Sequence, residues 1–187
     1  MTLAEAKAHC RVDATTDDAY IATLIQTGRE WVESYLDRQL IHAELEMSLE
    51  EFPESDEEVD LPRPPMAVAA DKTAVSVTYT LSTQATASLA SNTFRMDRYA
   101  TPGRIYPLYG QNWPADRLED ENAIQVRWWA GYGGSGTDVP APIRHAILML
   151  VGYWYDNRSA VLVGSISKEI EFAVSSLLDS QRWGQYR

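Results

Sequence analysis

The chain has 187 residues, of which 45% are hydrophobic, so it is long and apolar enough to bury a sizeable core. Its formal net charge of −11 and its pI near 4.6 argue against a nucleic-acid-binding surface, because binding to phosphates needs clustered Lys and Arg. Cys10 is the single cysteine, which excludes an internal disulfide framework and a thiolate metal cluster. The first residues lack the pattern of a signal peptide and no segment has that of a membrane span, so we expect a cytosolic protein without membrane contact.

Two helices are predicted at the start of the chain. Thr2 and Glu5 have the spacing of a capping box, which predicts a first helix that ends near Cys10. Thr16, followed by two aspartates, predicts the cap of a second helix with one apolar stripe. Gly28 lies in that stripe, where glycine costs about 1 kcal/mol relative to alanine. We therefore expect another helix to cross close to Gly28.

The middle of the chain is predicted to be rich in strands. Alternating apolar and polar residues from Gln39 onward predict a half-buried strand. The acidic run from Glu50 to Asp60 is predicted to be a solvated loop, because it lacks the ligand spacing and central glycine of a calcium-binding EF-hand loop. Leu61–Pro65 is predicted to be stiff and extended. Further strands are predicted at 75–79, 93–96, 104–106 and 123–130.

A buried helix is predicted over Val139–Arg158. Pro140 and Pro142 suit its first turn, and Arg158 complements the negative end of the helix dipole. Its apolar stripe, spaced at three and four residues, consists of Ile143, Ile147, Leu150, Val151 and Trp154. After it we expect a loop over 159–167, then a strand-like entry into a short last helix around Ile170–Leu178.

The order of these elements predicts an α+β fold, with a helical bundle formed by the N- and C-terminal helices and an antiparallel β insertion between them. Residues 1–38 are predicted to form the first helical part, 39–136 the β-rich insertion, and 137–187 the core helix, the short last helix and a C-terminal tail. The tail, 181–187, contains two aromatic residues and has no regular period.

The motifs of enzyme and cofactor sites are weak or absent in this sequence. Gly131–Gly136 formally matches G-x-G-x-x-G, but the following helix starts too late and Asp138 places negative charge where a pyrophosphate would bind, so we predict a flexible exit from the insertion. The three histidines, His9, His42 and His145, lack the spacing of metal ligands. No nucleophile elbow and no desolvated carboxylate pair is evident. We therefore predict no catalytic, cofactor or metal site.

Aromatic residues of the insertion suggest a contact surface. Trp128 and Trp129 are neighbours in a predicted strand, so they point to opposite faces and cannot both lie in one small core. Either one of them faces a partner, or a loop of the same chain covers it. The candidates for a subunit or partner interface are Trp113, Trp128, Trp129 and Tyr132.

Taken together, these stretches resemble the head-tail connector proteins of phages and gene transfer agents, also called adaptor or head-completion proteins. The resemblance covers nearly the whole chain and depends on the order and spacing of several segments. One departure is Thr80–Ala85, which lacks the Asp-Gly hairpin signal expected there. The segments that carry the resemblance are Leu3–Asp13, Asp17–Ile25, Glu30–Tyr35, Leu61–Pro65, Val75–Tyr79, Trp113-Pro114, Val126–Gly133, Val139–Leu148, Asn157-Arg158 and Phe172–Leu178.

The resemblance implies a structural virion protein at the head-tail junction, assembled in the host cytoplasm. Its subunits would form a ring, expected to be a dodecamer, under the portal protein and join the DNA-filled head to the stopper or tail-terminator protein. DNA would pass through the channel without specific binding. The C-terminal segment would reach the portal, which makes Trp183, Tyr186 and Arg187 the candidate portal contacts.

A second function remains open at this stage. The insertion could be a carbohydrate- or peptide-binding β module on a helical base, with Trp113, Trp128, Trp129 and Tyr132 as its stacking surface.

Overall fold

A computed structural model describes residues 1–54, 56–68, 70–72, 74–119, 121–158 and 168–182. The chain divides into two compact units. The helical unit comprises Met1–Leu40 with Gly134–Arg187, and the β unit comprises Ile41–Gly133. The predicted α+β fold, a bundle of N- and C-terminal helices with an antiparallel β insertion, is confirmed.

The elements have the following bounds. The helices are α1 (Leu3–Cys10), α2 (Asp18–Leu36), α3 (Ala141–Asp156) and α4 (Lys168–Asp179). The strands are β1 (Ala43–Leu49), β2 (Val59–Leu61), β3 (Ser76–Thr80), β4 (Thr86–Ser88), β5 (Phe94–Asp97), β6 (Gly103–Pro107) and β7 (Ile124–Ala130). Short 3-10 turns lie at Ala70–Lys72 and Gly136–Asp138. None of the helices in the described part of the chain is long and apolar enough to cross a membrane.

Helix α3 is the core of the helical unit, as its apolar stripe predicts. It packs against α1, α2 and α4, and Ile143 and Leu150 are fully buried on it. Helix α4 contributes Val174 and Leu178, which are also fully buried. Because α3 is enclosed by three other helices, removal of its apolar contacts would affect all of them.

The close helix crossing predicted at Gly28 is present. A Cβ atom added to Gly28 would lie 3.2 Å from Cγ2 of Ile147 and 3.6 Å from the ring of Trp154, both on α3. These distances leave room for a hydrogen but little for a side chain. Glycine therefore sets how closely α2 and α3 approach.

A buried carboxylate holds the chain where it leaves α2. Glu33 is only 7% exposed, and its Oε1 atom accepts hydrogen bonds from the backbone N–H of Leu40 at 3.0 Å and from the side chain of Gln39 at 3.3 Å. Buried carboxylates are stable when they are paired in this way. Asp37, with φ of 51°, ends the helix in the left-handed conformation.

The β unit contains two antiparallel sheets. The four-stranded sheet has the order β1-β7-β3-β4, and the three-stranded sheet has the order β2-β6-β5. Strand β1 pairs with β7 along its whole length, from Ala43 opposite Ala130 to Leu49 opposite Ile124. One hydrophobic core, which includes Trp128, joins residues of both sheets.

Several local predictions differ from the structure. Leu61–Pro65 is not extended throughout, because Leu61 ends β2 and Arg63 adopts a φ of 59°. The strand-like entry into the last helix is wrong, since Ile170 is already helical within α4. Strand β4 was not predicted: the hairpin after β3 turns with Gln84 at a φ of 68°, so glutamine takes the conformation that Gly usually supplies.

The α2–α3 crossing predicts the effect of enlarging Gly28. The Gly28→Leu variant should lower the free energy of unfolding by about 2 kcal/mol or more, because overpacking outweighs the gain in helix propensity. Urea unfolding, followed by far-UV circular dichroism, measures the change. The matched variant Thr27→Leu, at an exposed neighbouring position of the same helix, should change it by less than about 0.5 kcal/mol. Equal effects of the two variants would contradict the crossing.

Candidate interaction surface

The two neighbouring tryptophans of β7 lie on opposite faces of the four-stranded sheet. Trp128 is 1% exposed and belongs to the core of the β unit. Trp129 is half-buried on the other face, where the Nζ atom of Lys72 lies 3.8 Å from the centre of its ring. Of the two alternatives for the second tryptophan, cover by the same chain is therefore present, supplied by the 3-10 turn at Ala70–Lys72.

Trp113 is a core residue that holds the acidic loop. Its ring is 6% exposed and stacks on Phe52, with ring centres 5.5 Å apart. Its indole N–H donates a hydrogen bond to the carbonyl of Glu57 at 2.8 Å. The acidic run is thus tied at two points to the β unit while its carboxylates stay in solvent. The sequence signal for this anchor is Phe52, the one large apolar side chain before Val59 in the run.

The glycine-rich segment after β7 makes tight backbone contacts. Gly131 has a φ of 120°, and its N–H donates to the carbonyl of Pro65 at 2.8 Å. The carbonyl of Gly133 accepts from the N–H of His42 at 2.8 Å. Tyr132, between them, is half-buried. These backbone groups are used within the β unit, so Gly131 and Gly133 serve chain packing here.

The four candidate aromatic residues do not form one stacking surface. Trp113 and Trp128 are buried in the β unit, and only Trp129 and Tyr132 keep partial exposure. A sugar or a peptide needs an exposed ring face to stack on. The geometry therefore does not favour a carbohydrate- or peptide-binding module built from these four residues.

The acidic loop leaves an open depression beside β6. It is lined by Asp56, Glu57, Glu58 and Tyr106. Glu58 forms an ion pair with Arg104, which raises the pKa of that guanidinium, first through the hydrogen bond between them. The remaining acidic side chains face solvent, as predicted, but the run is not a loop to its end, because Val59 and Asp60 lie in β2.

The histidines are not assembled into a ligand set in the described part of the chain. His9 and His145 meet edge-to-face in the helical unit, with ring centres 6.5 Å apart, and His42 lies in the β unit. Among the described residues, no three His, Cys, Asp or Glu side chains come together in a way that could hold a metal ion.

An unpredicted polar cluster joins the start of α2 to the end of α3. Arg158 donates to Asp17, with Nη2 2.7 Å from Oδ2, and its guanidinium lies 4.6 Å and 4.5 Å from the ring centres of Tyr20 and Tyr155. The hydroxyl of Tyr155 donates to the same Asp17 oxygen at 2.7 Å. Asp17 makes no side-chain capping bond to α2. The sequence predicted that Arg158 complements the C-terminal end of its own helix, whereas in the structure its guanidinium binds Asp17. Bidentate and stacked contacts of this kind need arginine.

The cluster shifts the titration of its acid. The hydrogen bond from Arg158, and then that from Tyr155, holds the pKa of Asp17 below its ordinary value. Hydrogen bonding to Asp17 in turn raises the pKa of Tyr155. No signal in the sequence pairs these residues, because Asp17 and Arg158 are 141 positions apart.

The three candidate portal contacts, Trp183, Tyr186 and Arg187, lie outside the described residues. The last described turn before them is tied to α2. The hydroxyl of Tyr35 donates to Asp179 at 3.0 Å, and the guanidinium of Arg182 lies 4.9 Å from the centre of the Tyr35 ring.

Solved particle structures contain chains of the same fold. A chain from the neck of an empty gene transfer agent (GTA) particle, computed with C6 symmetry, gives a TM-score of 0.77 at 18% identity, covering 100% of this chain and 91% of that one. A chain from the neck of a native GTA particle, computed with C12 symmetry, gives 0.73 at 19% identity, covering 99% and 90%. A third, from the virion of a native GTA particle, gives 0.73 at 17% identity, covering 100% and 91%. A search of curated proteins found no match.

The family model of phage gp6-like head-tail connector proteins matches residues 1–99, slightly more than half of the chain. Helices α1 and α2 and strands β1 to β5 lie within the matched region. The chain belongs to the phage gp6-like head-tail connector family. Its role is that of a structural connector between the head and the tail of a particle.

Two glycines of the same motif should respond differently to alanine. A Cβ at Gly131 would lie 2.6 Å from the backbone N of His42, at a φ that side chains rarely adopt, whereas no heavy atom lies within 4 Å of a Cβ at Gly134. Gly131→Ala should lower the free energy of unfolding by about 3 kcal/mol, and Gly134→Ala should change it by less than about 1 kcal/mol. Urea unfolding followed by tryptophan fluorescence tests this. A small effect of Gly131→Ala would contradict the packing role.

The Asp17 cluster predicts a pH-dependent contribution to stability. Because the folded-state pKa of Asp17 is lowered, its contribution is fully present above the ordinary pKa of 3.8 and is lost as the pH falls through the lowered folded-state value. The difference in urea midpoint between the wild type and Asp17→Asn should therefore be constant from pH 7 to 5 and shrink below about pH 4.

The matched background is Arg158→Gln, which removes the main cause of the lowered pKa of Asp17. The difference in urea midpoint that Asp17→Asn causes should depend less on pH in the Arg158→Gln background than in the Tyr155→Phe background, because the hydrogen bond from Arg158 contributes more. If the difference in urea midpoint between the wild type and Asp17→Asn stays constant down to pH 3, the stabilising role assigned to the Asp17 carboxylate is contradicted.

Proposed function

We propose that this protein forms a ring, dodecameric in the particle, under the portal vertex and joins the DNA-filled head to the stopper or tail-terminator protein. The observation that carries the proposal is the full-length likeness to neck chains of GTA particles, combined with membership of the connector family. The C6 and C12 symmetries of those necks support a cyclic arrangement, and twelve copies satisfy both. The location proposed for the protein is the head-tail junction of the virion, after assembly in the host cytoplasm.

The charge of the protein supports a passive contact with DNA. The net charge is −11, and the stretch from Glu50 to Asp60 contains seven acidic residues and no basic one. Such a surface repels the phosphate backbone instead of releasing counterions from it. DNA would therefore pass through the channel without specific binding.

The role we propose involves no catalysis. The described His, Cys, Asp and Glu side chains form no metal-binding group, and the polar cluster around Asp17 consists of paired side chains that hold two helices together. A catalytic site would need an acid, base or nucleophile directed into a pocket.

Two sets of residues are proposed as contacts. The portal would be contacted by Trp183, Tyr186 and Arg187, by analogy of position with other connectors. A neighbouring protein of the neck would be contacted by Trp129 and Tyr132, the two members of the aromatic set that keep partial exposure.

Mixing the protein with its cognate portal protein tests the function. Mass photometry and negative-stain images of the mixture should reveal a ring stacked on the portal. A truncation that ends at Arg182 should lose this association, while its helical unit keeps the contacts of Tyr35 with Asp179 and Arg182. Its unfolding midpoint should therefore match that of the full chain.

Point variants separate the aromatic contacts from the length of the tail. The double variant Trp183→Ala with Tyr186→Ala should weaken portal binding as the truncation does, whereas Gln185→Ala in the same segment should bind as the wild type. No association of the full chain with portal under any condition would overturn the connector function. Association that survives the truncation would overturn only the tail contact.

A further inference from the structure

The four-stranded sheet has two open edges. In the described part of the chain, strand β1, seven residues long, pairs only with β7, and β4 pairs only with β3. Among the described residues, no strand or isolated bridge occupies the other side of either one. An open edge presents unpaired N–H and C=O groups and can accept another strand.

The backbone groups of alternate β1 residues point to its open edge. The carbonyl of Trp129 accepts from the N–H of Ala67 at 2.9 Å, so it points away from β1. A residue of an antiparallel strand directs its N–H and C=O to one side, so Glu44, which is opposite Trp129, is not hydrogen-bonded to it. Glu44 therefore directs its N–H and C=O outward, and Glu46 and Ser48 follow by the two-residue period.

The same reasoning applies to β4. The N–H of Leu89 donates to the carbonyl of Val77 at 2.8 Å, so Val77 directs its groups toward β4. Thr78, the next residue, directs its groups toward β7, and Ser88 lies opposite it in a pair that is not hydrogen-bonded. Ser88 and, two residues earlier, Thr86 therefore direct their N–H and C=O to the open edge of β4.

The two edges match each other in face and direction. The side chains of Glu44, Glu46 and Ser48 lie on the exposed polar face of the sheet, and so do those of Thr86 and Ser88. Because all neighbouring strands are antiparallel, β4 of one copy placed beside β1 of the next would also be antiparallel. The pairing would continue the sheet with its polar face on one side and its apolar face on the other.

The three-stranded sheet cannot be continued in this way. The N–H of Leu108 donates to the carbonyl of Thr93, so β5 directs the backbone groups of Phe94 and Met96 outward, and these side chains belong to the core face. The outward residue of β2 is Asp60, on the exposed face. Since β2 and β5 run in the same direction, antiparallel pairing of these two edges would turn one copy over and expose its core face.

Charge also selects the partner of β1. Two copies of β1 paired with each other would place Glu44, Glu46 or Glu50 opposite acidic residues, and like charges across a pair are unfavourable. The segment that carries β4, residues 81–93, contains no charged residue. Like charges therefore disfavour the pairing of two β1 strands, whereas β4 brings no charge to a pair with β1.

We propose that the open edge of β1 binds the open edge of β4 of a second copy, so that neighbouring subunits share a continuous sheet. This inference rests on the proposed ring and names the surface that closes it. The interface is heterologous, as a cyclic ring requires, because each copy contributes two different edges.

Disulfide trapping tests the pairing in rings assembled on the portal. In a Cys10→Ser background, Ser88→Cys is combined in turn with Glu44→Cys, Glu46→Cys and Ser48→Cys. Opposite residues of a hydrogen-bonded pair are about 5.5 Å apart at Cα, within the range of a disulfide. At least one combination should give a ladder of covalent multimers on a non-reducing gel. The single-cysteine variants, and Ser88→Cys combined with Arg95→Cys on β5, should give none.

A proline variant provides a second test that does not depend on register. Ser48→Pro removes an N–H that points to the open edge, so it should leave the unfolding midpoint of the subunit near that of the wild type and abolish the ring. Met47→Pro removes an N–H that binds β7 and should lower the midpoint itself. Rings that form with Ser48→Pro, or wild-type-like rings without any ladder, would overturn the edge pairing and leave the connector function intact. Failure of the wild type to form a ring on the portal would overturn both.

Discussion

The close packing of α3 against α2 at Gly28 is the constraint on which the helical unit depends. With Ile147 and Trp154 both within 3.6 Å of the position of a Cβ, the two axes are as close as side chains allow. Because α1 and α4 also pack on α3, the position of α3 against α2 determines where these two helices lie. The Asp17–Arg158 cluster then ties the start of α2 to the end of α3, outside the apolar contact. Apolar packing thus sets the distance between the helices, and the polar cluster holds their ends.

In the β unit, Trp113 and Trp128, two of the four aromatic residues that suggested a binding surface, are buried in the core. Trp113 stacks on Phe52 and bonds to Glu57, so a large ring is used to hold a loop of carboxylates that would otherwise have few apolar contacts. Solvated carboxylates contribute little to folding. Phe52 and Trp113 supply the apolar burial of this loop, while its charges remain in solvent.

Among the residues that the structure describes, the proposed contacts of this connector lie on the edges of β1 and β4 and at the partly exposed Trp129 and Tyr132. This distribution is typical of a subunit that binds several neighbours at once. Strand edges give many directional hydrogen bonds with little apolar exposure in the free subunit. In the pairing we propose, the edges of β1 and β4 would supply such bonds between neighbouring copies.

Periodicity in the sequence by itself determined the helices, most strands and the buried stripe of α3, because these features depend on the spacing of neighbouring residues. Gly28 within the stripe of α2 also indicated the helix crossing that the structure contains. The resemblance in segment order also identified the family. The sequence did not determine β4, whose turn uses Gln84 in place of glycine, nor the helical start of α4, where Ile170 fits either period. Tertiary structure alone decided that Trp128 is buried and Trp129 partly covered, that Arg158 binds Asp17, and that the edges of β1 and β4 present the same face. These outcomes depend on contacts between distant residues, which local patterns do not record.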